Sequence, residues 1–211
     1  MTKIVVVDSL APDQATLRRA VAILKEGGVV AYPTETFYAL GVDAFNLEAL
    51  EKLVKLKSRS GDKAISLIIS DLTALGSLVS SVPVPARQLM EKFWPGPLTL
   101  VLPGISGLPP PITNEARGVA LRISSHPVAR ELASIIQGPI SATSANIAGE
   151  APPTTGAQVY SAFGEGLDLV LDAGETEGGK PSTVLDFTAD KPRVLREGKI
   201  KTASLLAVLS R

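Results

Sequence analysis

The chain of 211 residues contains no cysteine and a single histidine, His126. The missing thiols exclude disulfides, thiolate catalysis and zinc sites that depend on cysteine ligands. A metal centre with several histidines is excluded too, and any Ser-His-Asp triad would have to use His126. Because His126 stands just before Pro127 and an amphipathic segment, we expect it to cap a helix or to bond within a loop.

The chain also lacks an excess of charge of either sign, and it has few aromatic residues. Lysine plus arginine and aspartate plus glutamate number 21 each, and aromatic residues make up only 4% of the sequence. Strong long-range attraction to nucleic acid is therefore not expected, nor is binding of single strands by stacked bases. Weak binding of tRNA or another RNA by a local basic patch stays compatible with this composition.

Long apolar runs are missing as well. No apolar stretch is long enough to cross a bilayer, and the run Ile4-Val5-Val6-Val7 is too short for the core of a signal peptide. We therefore expect a soluble, unprocessed, cytoplasmic protein that does not enter the membrane. The hydrophobic fraction of 45% is ample for a continuous core, and the length favours one domain over residues 1–211.

Hydrophobic periodicity predicts strands and helices that alternate early in the chain and strands that cluster near its end. This order predicts an α/β fold, a single domain in which a twisted mixed β-sheet is flanked by helices. The predicted strands are 4–7, 29–32, 64–69, 98–102, 119–123, 139–143, 169–171, 183–187 and 193–195, and we expect strand 4–7 to be buried. The predicted helices are 13–26, 71–79, 85–93, 128–136, 155–163 and 203–209. One more helix is predicted to begin after Asn46, which would cap it.

A basic cluster, Lys57, Arg59 and Lys63, begins where the helix capped by Asn46 is predicted to end. Cations in the last turn of a helix stabilise its dipole, and that structural role is one interpretation. The second interpretation is a site, because Arg59 and Lys63 lead into an apolar strand and so lie at a sheet edge. Arginine supplies a fork of donors and lysine a compact charge, a combination that suits a triphosphate.

Small polar side chains follow two of the predicted strands. Four of the six positions from Ser141 to Asn146 carry side-chain hydrogen-bonding groups, and Thr34-Glu35-Thr36 follows another strand. Buried polar groups need partners, so these groups either satisfy one another or bind a nucleotide or a small polar substrate. In the second case Thr36 would bind the substrate. Tyr32 and Phe37 would then line the pocket, although both suit the core equally well.

The segment Gly174 to Lys180 has the spacing of a P-loop, but its context argues against one. Pro181 stands where a P-loop carries the serine or threonine that binds magnesium. The residues from Ser182 to Phe187 predict a strand, whereas a P-loop opens a helix. Two carboxylates within the segment would also repel phosphate. We therefore interpret Gly174 to Lys180 as an ordinary loop.

A series of motifs occurs in one order along the chain: Tyr32–Gly41, Lys57–Lys63, Trp94–Thr99, Val119–Arg122, Ser144–Asn146 and Pro181–Thr183. Taken together, they resemble the YrdC-like family of threonylcarbamoyl-AMP synthases over nearly the whole chain. The resemblance implies the YrdC-like fold, in which a concave face of the sheet binds ligands.

The resemblance also implies a nucleotidyltransferase that joins L-threonine, bicarbonate and ATP into threonylcarbamoyl-AMP and releases pyrophosphate. Mg²⁺ would be held mainly by the phosphates. The product would pass to a downstream complex that forms threonylcarbamoyladenosine (t6A) in tRNA. Two alternatives stay open: a YrdC-like module that binds RNA, and a nucleotide-binding paralogue with a different acceptor.

Position by position, the resemblance implies two groups of ligand-binding residues. Arg122 would pair with the carboxylate of threonine, and Asn146 would support the Ser-Ala-Asn turn. Lys57 and Arg59 would be catalytic, because they neutralise charge at the reacting phosphate. The threonine group is Thr36, Arg122, Ala142 and Ser182, and the ATP group is Arg59, Lys63, Ser144, Asn146 and Arg196.

Overall fold

Strands and helices alternate along the part of the chain that the computed structural model describes, residues 2–57 and 64–210. Short 3-10 helices cover Leu72–Ser77, Pro110–Ile112 and Gly164–Gly166. The α-helices are α1 (Gln14–Lys25), α2 (Leu47–Leu56), α3 (Val84–Phe93), α4 (Pro127–Ile136), α5 (Gly156–Phe163) and α6 (Thr202–Leu209). The strands are β1 (Lys3–Val6), β2 (Val30–Pro33), β3 (Tyr38–Gly41), β4 (Leu67–Ile68), β5 (Leu98–Pro103), β6 (Gly118–Arg122), β7 (Ile140–Ser141), β8 (Thr143–Ser144), β9 (Leu169–Asp172), β10 (Thr183–Asp186) and β11 (Arg193–Arg196).

The strands form two mixed sheets, where the sequence predicted one. Their orders are β1-β9-β2-β3-β8 and β11-β10-β5-β6-β4-β7. The predicted strand 139–143 is divided at Ala142, because β7 pairs with β4 in one sheet and β8 pairs with β3 in the other. The α/β class with mixed sheets and flanking helices is confirmed, and the chain passes from one sheet to the other at Ala142.

Side-chain caps fix the starts of helices α2 and α4. Asn46 Oδ1 accepts a hydrogen bond from the Ala49 N–H at 3.0 Å, which confirms the predicted cap of α2. His126 Nδ1 accepts a hydrogen bond from the Val128 N–H at 3.3 Å, so the predicted capping role of the single histidine is also confirmed. These caps satisfy backbone donors that the first helical turn leaves without intrahelical partners.

Two buried clusters of apolar side chains hold the elements together. The larger one includes Leu40, Leu50 and Leu100, and the smaller one packs α1 and α4 against β2. Complete burial of one aliphatic side chain contributes about 1.5–3 kcal/mol to stability.

Tyr32 is fully buried in the smaller cluster, and its hydroxyl donates a hydrogen bond to the Ser141 carbonyl oxygen at 2.7 Å. Tyr32 is therefore a core residue that connects β2 to β7.

Several predicted elements differ from the observed ones. Strand β1 is an edge strand with mostly exposed residues, not a buried strand, because β9 is its only partner among the described strands. The predicted strand 64–69 shortens to Leu67–Ile68, and the predicted helix 71–79 is the 3-10 helix Leu72–Ser77. Asp71 Oδ1 accepts a hydrogen bond from the Thr73 N–H at 2.7 Å and starts that tighter turn. Strand β3 was not predicted.

The segment from Gly174 to Lys180 contains no helix or strand, and strand β10 follows it instead of a helix. The prediction that this segment is an ordinary loop and not a P-loop is therefore confirmed. Within residues 2–57 and 64–210, none of the helices combines the length and the apolar character needed to traverse a bilayer.

Candidate active site

A cavity of about 420 Å³, which we call the site cavity, is lined by residues from both sheets. Its walls come from the turn between β2 and β3, the end of α2, strands β5 and β6, the segment around β8, and the β10–β11 pair. Polar and apolar side chains share the walls. The polar side chains include those of Thr34, Thr36, Lys57, Ser66, Thr99, Arg122, Thr143, Ser144, Asn146, Ser182 and Arg196.

The site cavity brings together every predicted site residue that lies within the described residues. Arg59 and Lys63 lie outside them. The others come from positions far apart in sequence and share this one cavity; they are Thr36, Lys57, Arg122, Ala142, Ser144, Asn146, Ser182 and Arg196.

One corner of the cavity joins the end of α2 to the segment around β8. Lys57 is the C-cap residue of α2, and its ammonium group donates a hydrogen bond to the Ser144 carbonyl oxygen. The Ser144 hydroxyl donates to Asn146 Oδ1 at 2.5 Å. Asn146 Nδ2 in turn donates to the backbone oxygens of Ile147 and Glu150 at 2.9 and 2.8 Å. This network fixes the turn that carries Ser144 and leaves a buried cation beside it.

A second corner joins hydroxyl groups to an arginine on three neighbouring strands. The hydroxyl oxygens of Thr99 and Ser182 lie 2.9 Å apart. Arg196 donates from Nε to the Ser182 carbonyl oxygen and from Nη2 to its hydroxyl, both at 3.1 Å. Gly198 permits this close packing, because a Cβ atom there would lie 2.0 Å from the Pro181 carbonyl oxygen. Ser182 is thus held from both sides at the cavity wall.

Arg122 supplies a second guanidinium group to the wall, and it is paired with a buried carboxylate. Its Nη1 donates to Glu35 Oε1 at 2.5 Å, and both side chains are less than a tenth exposed. Partial burial lowers the pKa of Arg196, and the positive charge of Arg122 lowers it further. Arginine stays protonated at neutral pH even so. Glu35 offsets one of the two positive charges, and the charge that is left makes this part of the cavity attractive to an anion.

The turn between β2 and β3 places Thr36 at the cavity. The Thr34 hydroxyl donates to the Phe37 carbonyl oxygen at 2.7 Å and accepts from the Thr36 and Phe37 N–H groups. It therefore forms the side-chain turn that the sequence left as one alternative. The Thr36 hydroxyl lies 3.0 Å from that of Thr34, and since the Thr34 proton is directed at Phe37, Thr36 acts as the donor. Phe37 lines the cavity, whereas Tyr32 does not.

Sequence reasoning missed some residues of the site. Thr99 lines the cavity and contacts Ser182, although only its place at the end of the motif Trp94–Thr99 pointed to it. The sequence places Glu35 in a polar turn but does not identify it as the partner of Arg122. The two residues are 87 positions apart, and a pairing over that distance leaves no periodic signal.

In chemical terms, the cavity combines fixed cations with small hydroxyl groups. Such walls suit a ligand that carries both an anionic group and small polar groups. Across residues 2–57 and 64–210, no three histidine, aspartate or glutamate side chains come together as metal ligands.

Comparison with known proteins gives the chain a family. A sequence model of the Sua5/YciO/YrdC family, described as "Telomere recombination", matches residues 22–198. The threonylcarbamoyl-AMP synthase of Pyrococcus abyssi is 37% identical over 193 residues, which cover 92% of this chain and 57% of that relative. The threonylcarbamoyl-AMP synthase of Bacillus subtilis is 38% identical over 205 residues, which cover 97% of this chain and 59% of that relative.

A solved structure is similar over almost the whole chain. The crystal structure of P. abyssi Sua5 complexed with L-threonine has a TM-score of 0.93 and 36% sequence identity, and the match covers 98% of this chain and 61% of that one. The chain thus spans about three-fifths of the length of these relatives.

Proposed function

The chain belongs to the Sua5/YciO/YrdC family, and we propose that it forms threonylcarbamoyl-AMP and pyrophosphate from L-threonine, bicarbonate and ATP. One observation carries the proposal: Lys57, Arg122 and Arg196 converge with the hydroxyls of Thr36 and Ser182 on one cavity. The P. abyssi relative, which has been crystallised with L-threonine, supports the choice of amino acid. We further propose that residues 1–211 act as one YrdC-like domain, because β1 near the start of the chain pairs with β9 near its end.

In this proposal threonine occupies the side of the cavity formed by β6 and β10. Arg122 receives its carboxylate, since a guanidinium group matches the geometry of a carboxylate. Thr36 and Ser182 bind through their hydroxyls, and the backbone at Ala142 completes the wall. Arg196 contacts Ser182 directly, so the threonine and ATP positions share a boundary there.

ATP occupies the side formed by the end of α2 and the turn after β8. Ser144 contacts the nucleotide, Asn146 holds the Ser144 hydroxyl, and Arg196 approaches the phosphates. Arg59 and Lys63 add further positive charge, and Lys57 and Arg59 act as the catalytic cations. We propose that the phosphates and water hold a Mg²⁺ ion. Within the described residues, no group of three carboxylate or histidine side chains could hold a metal ion, which agrees with this proposal.

The chemistry requires positioning more than proton transfer by the protein. The deprotonated (neutral) amine of threonine adds to carbon dioxide derived from bicarbonate and gives a carbamate. The hydroxide lost from bicarbonate and the proton lost from the nitrogen leave together as water. A carbamate oxygen attacks the α-phosphorus of ATP, the bond to the β-phosphate oxygen breaks, and pyrophosphate leaves. Catalysis of such a step comes mainly from alignment and from neutralisation of developing charge, which Lys57 and Arg59 supply.

The product is a mixed anhydride, which is prone to hydrolysis and therefore suits prompt use by another enzyme. We propose that it passes in the cytoplasm to a complex that modifies tRNA to t6A. Direct binding of RNA would be weak, since the formal net charge is zero.

Pyrophosphate release tests the proposal directly. We expect release from ATP that requires both L-threonine and bicarbonate, with each omission as a control. Replacement of threonine by serine and other amines distinguishes a paralogue with a different acceptor. Release that is independent of threonine would contradict the proposal. Salt-sensitive tRNA binding without any release would favour the RNA-binding module.

A further inference from the structure

Glu35 is a buried carboxylate for which the proposed reaction has no use. Its Oε1 accepts a hydrogen bond from Arg122 Nη1 at 2.5 Å, and its Oε2 accepts one from the Ser124 hydroxyl. The Glu35 and Arg122 side chains are 8% and 7% exposed, and Ser124 is fully buried. Removal of charged groups from water is unfavourable unless they are paired in good geometry, and this pair meets that condition.

Glu35 itself is absent from the walls of the site cavity, whereas Arg122 forms part of them. Both carboxylate oxygens of Glu35 are occupied by protein donors. Glu35 is therefore in no position to take a proton from the amine of the substrate. Arg122 is the wall residue to which the Glu35 carboxylate bonds directly, so Glu35 can act on a ligand through Arg122.

Contacts from separate parts of the chain fix the position of Glu35. Ser124 holds the carboxylate, and the Ser124 hydroxyl oxygen also accepts a hydrogen bond from the His126 N–H at 3.2 Å, next to the start of α4. Lys199 Nζ donates to the Glu35 carbonyl oxygen at 2.8 Å. The same ammonium group contacts the Glu177 carboxylate at 2.5 Å. A carboxylate held from so many directions gives Arg122 a fixed anchor.

The charges in this region agree with such a role. Without a ligand, Glu35 offsets the charge of Arg122, and the nearby Arg196 is a second cation, with hydrogen bonds to Ser182. A substrate carboxylate would add a second anion beside Glu35, so that two anions would face the two cations Arg122 and Arg196. The bond to Glu35 uses one of the five N–H donors of the Arg122 guanidinium group, and the group can still form a paired contact with a carboxylate.

We propose that Glu35 is a positioning residue, which orients the Arg122 guanidinium group to receive the carboxylate of the amino-acid substrate. This inference rests on the proposed function, in which Arg122 binds threonine. It identifies Glu35 as a determinant of threonine affinity that does not itself contact threonine.

Two substitutions at position 35 test whether the role of Glu35 requires both the charge of the carboxylate and its reach. Glu35→Gln keeps the length of the side chain and removes its charge. Glu35→Asp keeps the charge but shortens the side chain by one methylene, and we expect the bond to Arg122 to be lost. We expect both to raise the KM for L-threonine about 10- to 100-fold, as fits the loss of a hydrogen bond between charged groups. The KM for ATP should change by less than about twofold, because the nucleotide lies away from Glu35.

Three further measurements complete the experiment. Asp168→Asn is the matched control, because Asp168 pairs with Lys52 at 3.0 Å and does not line the site cavity. Ser124→Ala removes one contact to Glu35 without a change of charge, and we expect a rise of about threefold to tenfold in the KM for threonine. Binding of L-threonine alone by calorimetry gives a readout that is independent of turnover.

The outcomes are distinct. A wild-type protein that neither binds L-threonine nor forms product would refute the proposed function itself. An active wild type with unchanged threonine KM in folded Glu35→Gln and Glu35→Asp would overturn the positioning role. Equal increases in the KM values for threonine and ATP would show a merely structural role and would also overturn it. If both Glu35 variants fail to fold, Ser124→Ala decides, and an unchanged threonine KM in that folded variant contradicts the inference.

Discussion

Lys57 Nζ donates a hydrogen bond to the backbone carbonyl oxygen of Ser144, although the two residues are 87 positions apart. The bond joins the end of α2, where the basic cluster begins, to the turn that carries Ser144 and Asn146. The proposed reaction needs these two segments side by side, since one supplies cations and the other supplies groups that hold the nucleotide. Lys57 is only 7% exposed, so its charge acts within the cavity and is poorly screened by solvent.

Lys57→Ala should therefore lower the rate of pyrophosphate release about 10²- to 10³-fold, which corresponds to about 2.7–4 kcal/mol of transition-state stabilisation. The variant should remain folded, as judged by its circular dichroism and thermal unfolding. Lys55→Ala is the matched control, because Lys55 lies on the same helix and does not line the cavity. We expect Arg59→Ala to lose activity in the same way. Turnover like that of the wild type in Lys57→Ala would refute its catalytic assignment.

Loss of the contact between Thr99 and Ser182 should weaken threonine binding, by less than Lys57→Ala slows the reaction. Thr99→Val removes the hydroxyl that lies 2.9 Å from Ser182 Oγ while it keeps the shape of the side chain. We expect the KM for threonine to rise about threefold to tenfold and the free energy of unfolding to fall by about 1 kcal/mol. Both effects should be modest, because Ser182 keeps its bond to Arg196. Thr99→Ser restores the hydroxyl and should behave nearly as the wild type. Equal KM values in all three proteins would exclude Thr99 from the site.

Loss of the Tyr32 hydroxyl should affect the stability of the protein and not its activity. Its hydroxyl is fully buried and donates to the Ser141 carbonyl oxygen at 2.7 Å, and burial raises the pKa of Tyr32, so the donor stays protonated. Tyr32→Phe should lower the free energy of unfolding by about 1–3 kcal/mol in urea denaturation. Tyr160→Phe serves as the control, because Tyr160 is exposed and its change should stay within about 0.5 kcal/mol. A neutral Tyr32→Phe would show that the bond between β2 and β7 contributes little.

His126 predicts how stability depends on pH. Burial lowers the pKa of His126, and the nearby Glu35 opposes that shift in part. The unfolded chain therefore binds a proton at higher pH than the folded chain does, so stability falls as the pH drops below about 6.5. The loss ends once the pH is below the lowered folded-state pKa. Protonation also removes Nδ1 as the acceptor of the Val128 N–H.

The comparison with His126→Asn isolates this effect, because asparagine caps a helix without titrating and the chain has no other histidine. Urea denaturation from pH 7.5 to pH 5 should show a steeper loss of stability in the wild type than in the variant. Parallel curves would show that the histidine does not contribute to the pH dependence.

The sequence predicted the α/β class and most helices because their signals are local. Asn46 and His126 cap helices where expected, and the periodicity of α1 and α4 matches their buried faces. Strand β3 was missed because its buried residues follow the Thr34 turn at once, so no alternation marks it. The break at Ala142 depends on which strand each half pairs with, and that pairing is not encoded locally.

The candidate site could be predicted only from the joint order of its motifs. No single motif determined that Lys57 and Ser144 are in contact, since that contact follows from the packing of α2 against the segment around β8. The pairing of Glu35 with Arg122 and the contact of Thr99 with Ser182 likewise needed coordinates. In both cases the residue types were visible in the sequence, but their partners lay on other strands.

Mass spectrometry of the product tests the central claim most directly. The protein is incubated with ATP, L-threonine, Mg²⁺ and ¹³C-labelled bicarbonate, with reactions that lack each substrate as controls. The account predicts a threonylcarbamoyl-AMP ion that carries the label, is absent from every omission, and accumulates about 10²- to 10³-fold more slowly in Lys57→Ala. An active preparation that releases pyrophosphate but forms no labelled threonylcarbamoyl-AMP would contradict the account.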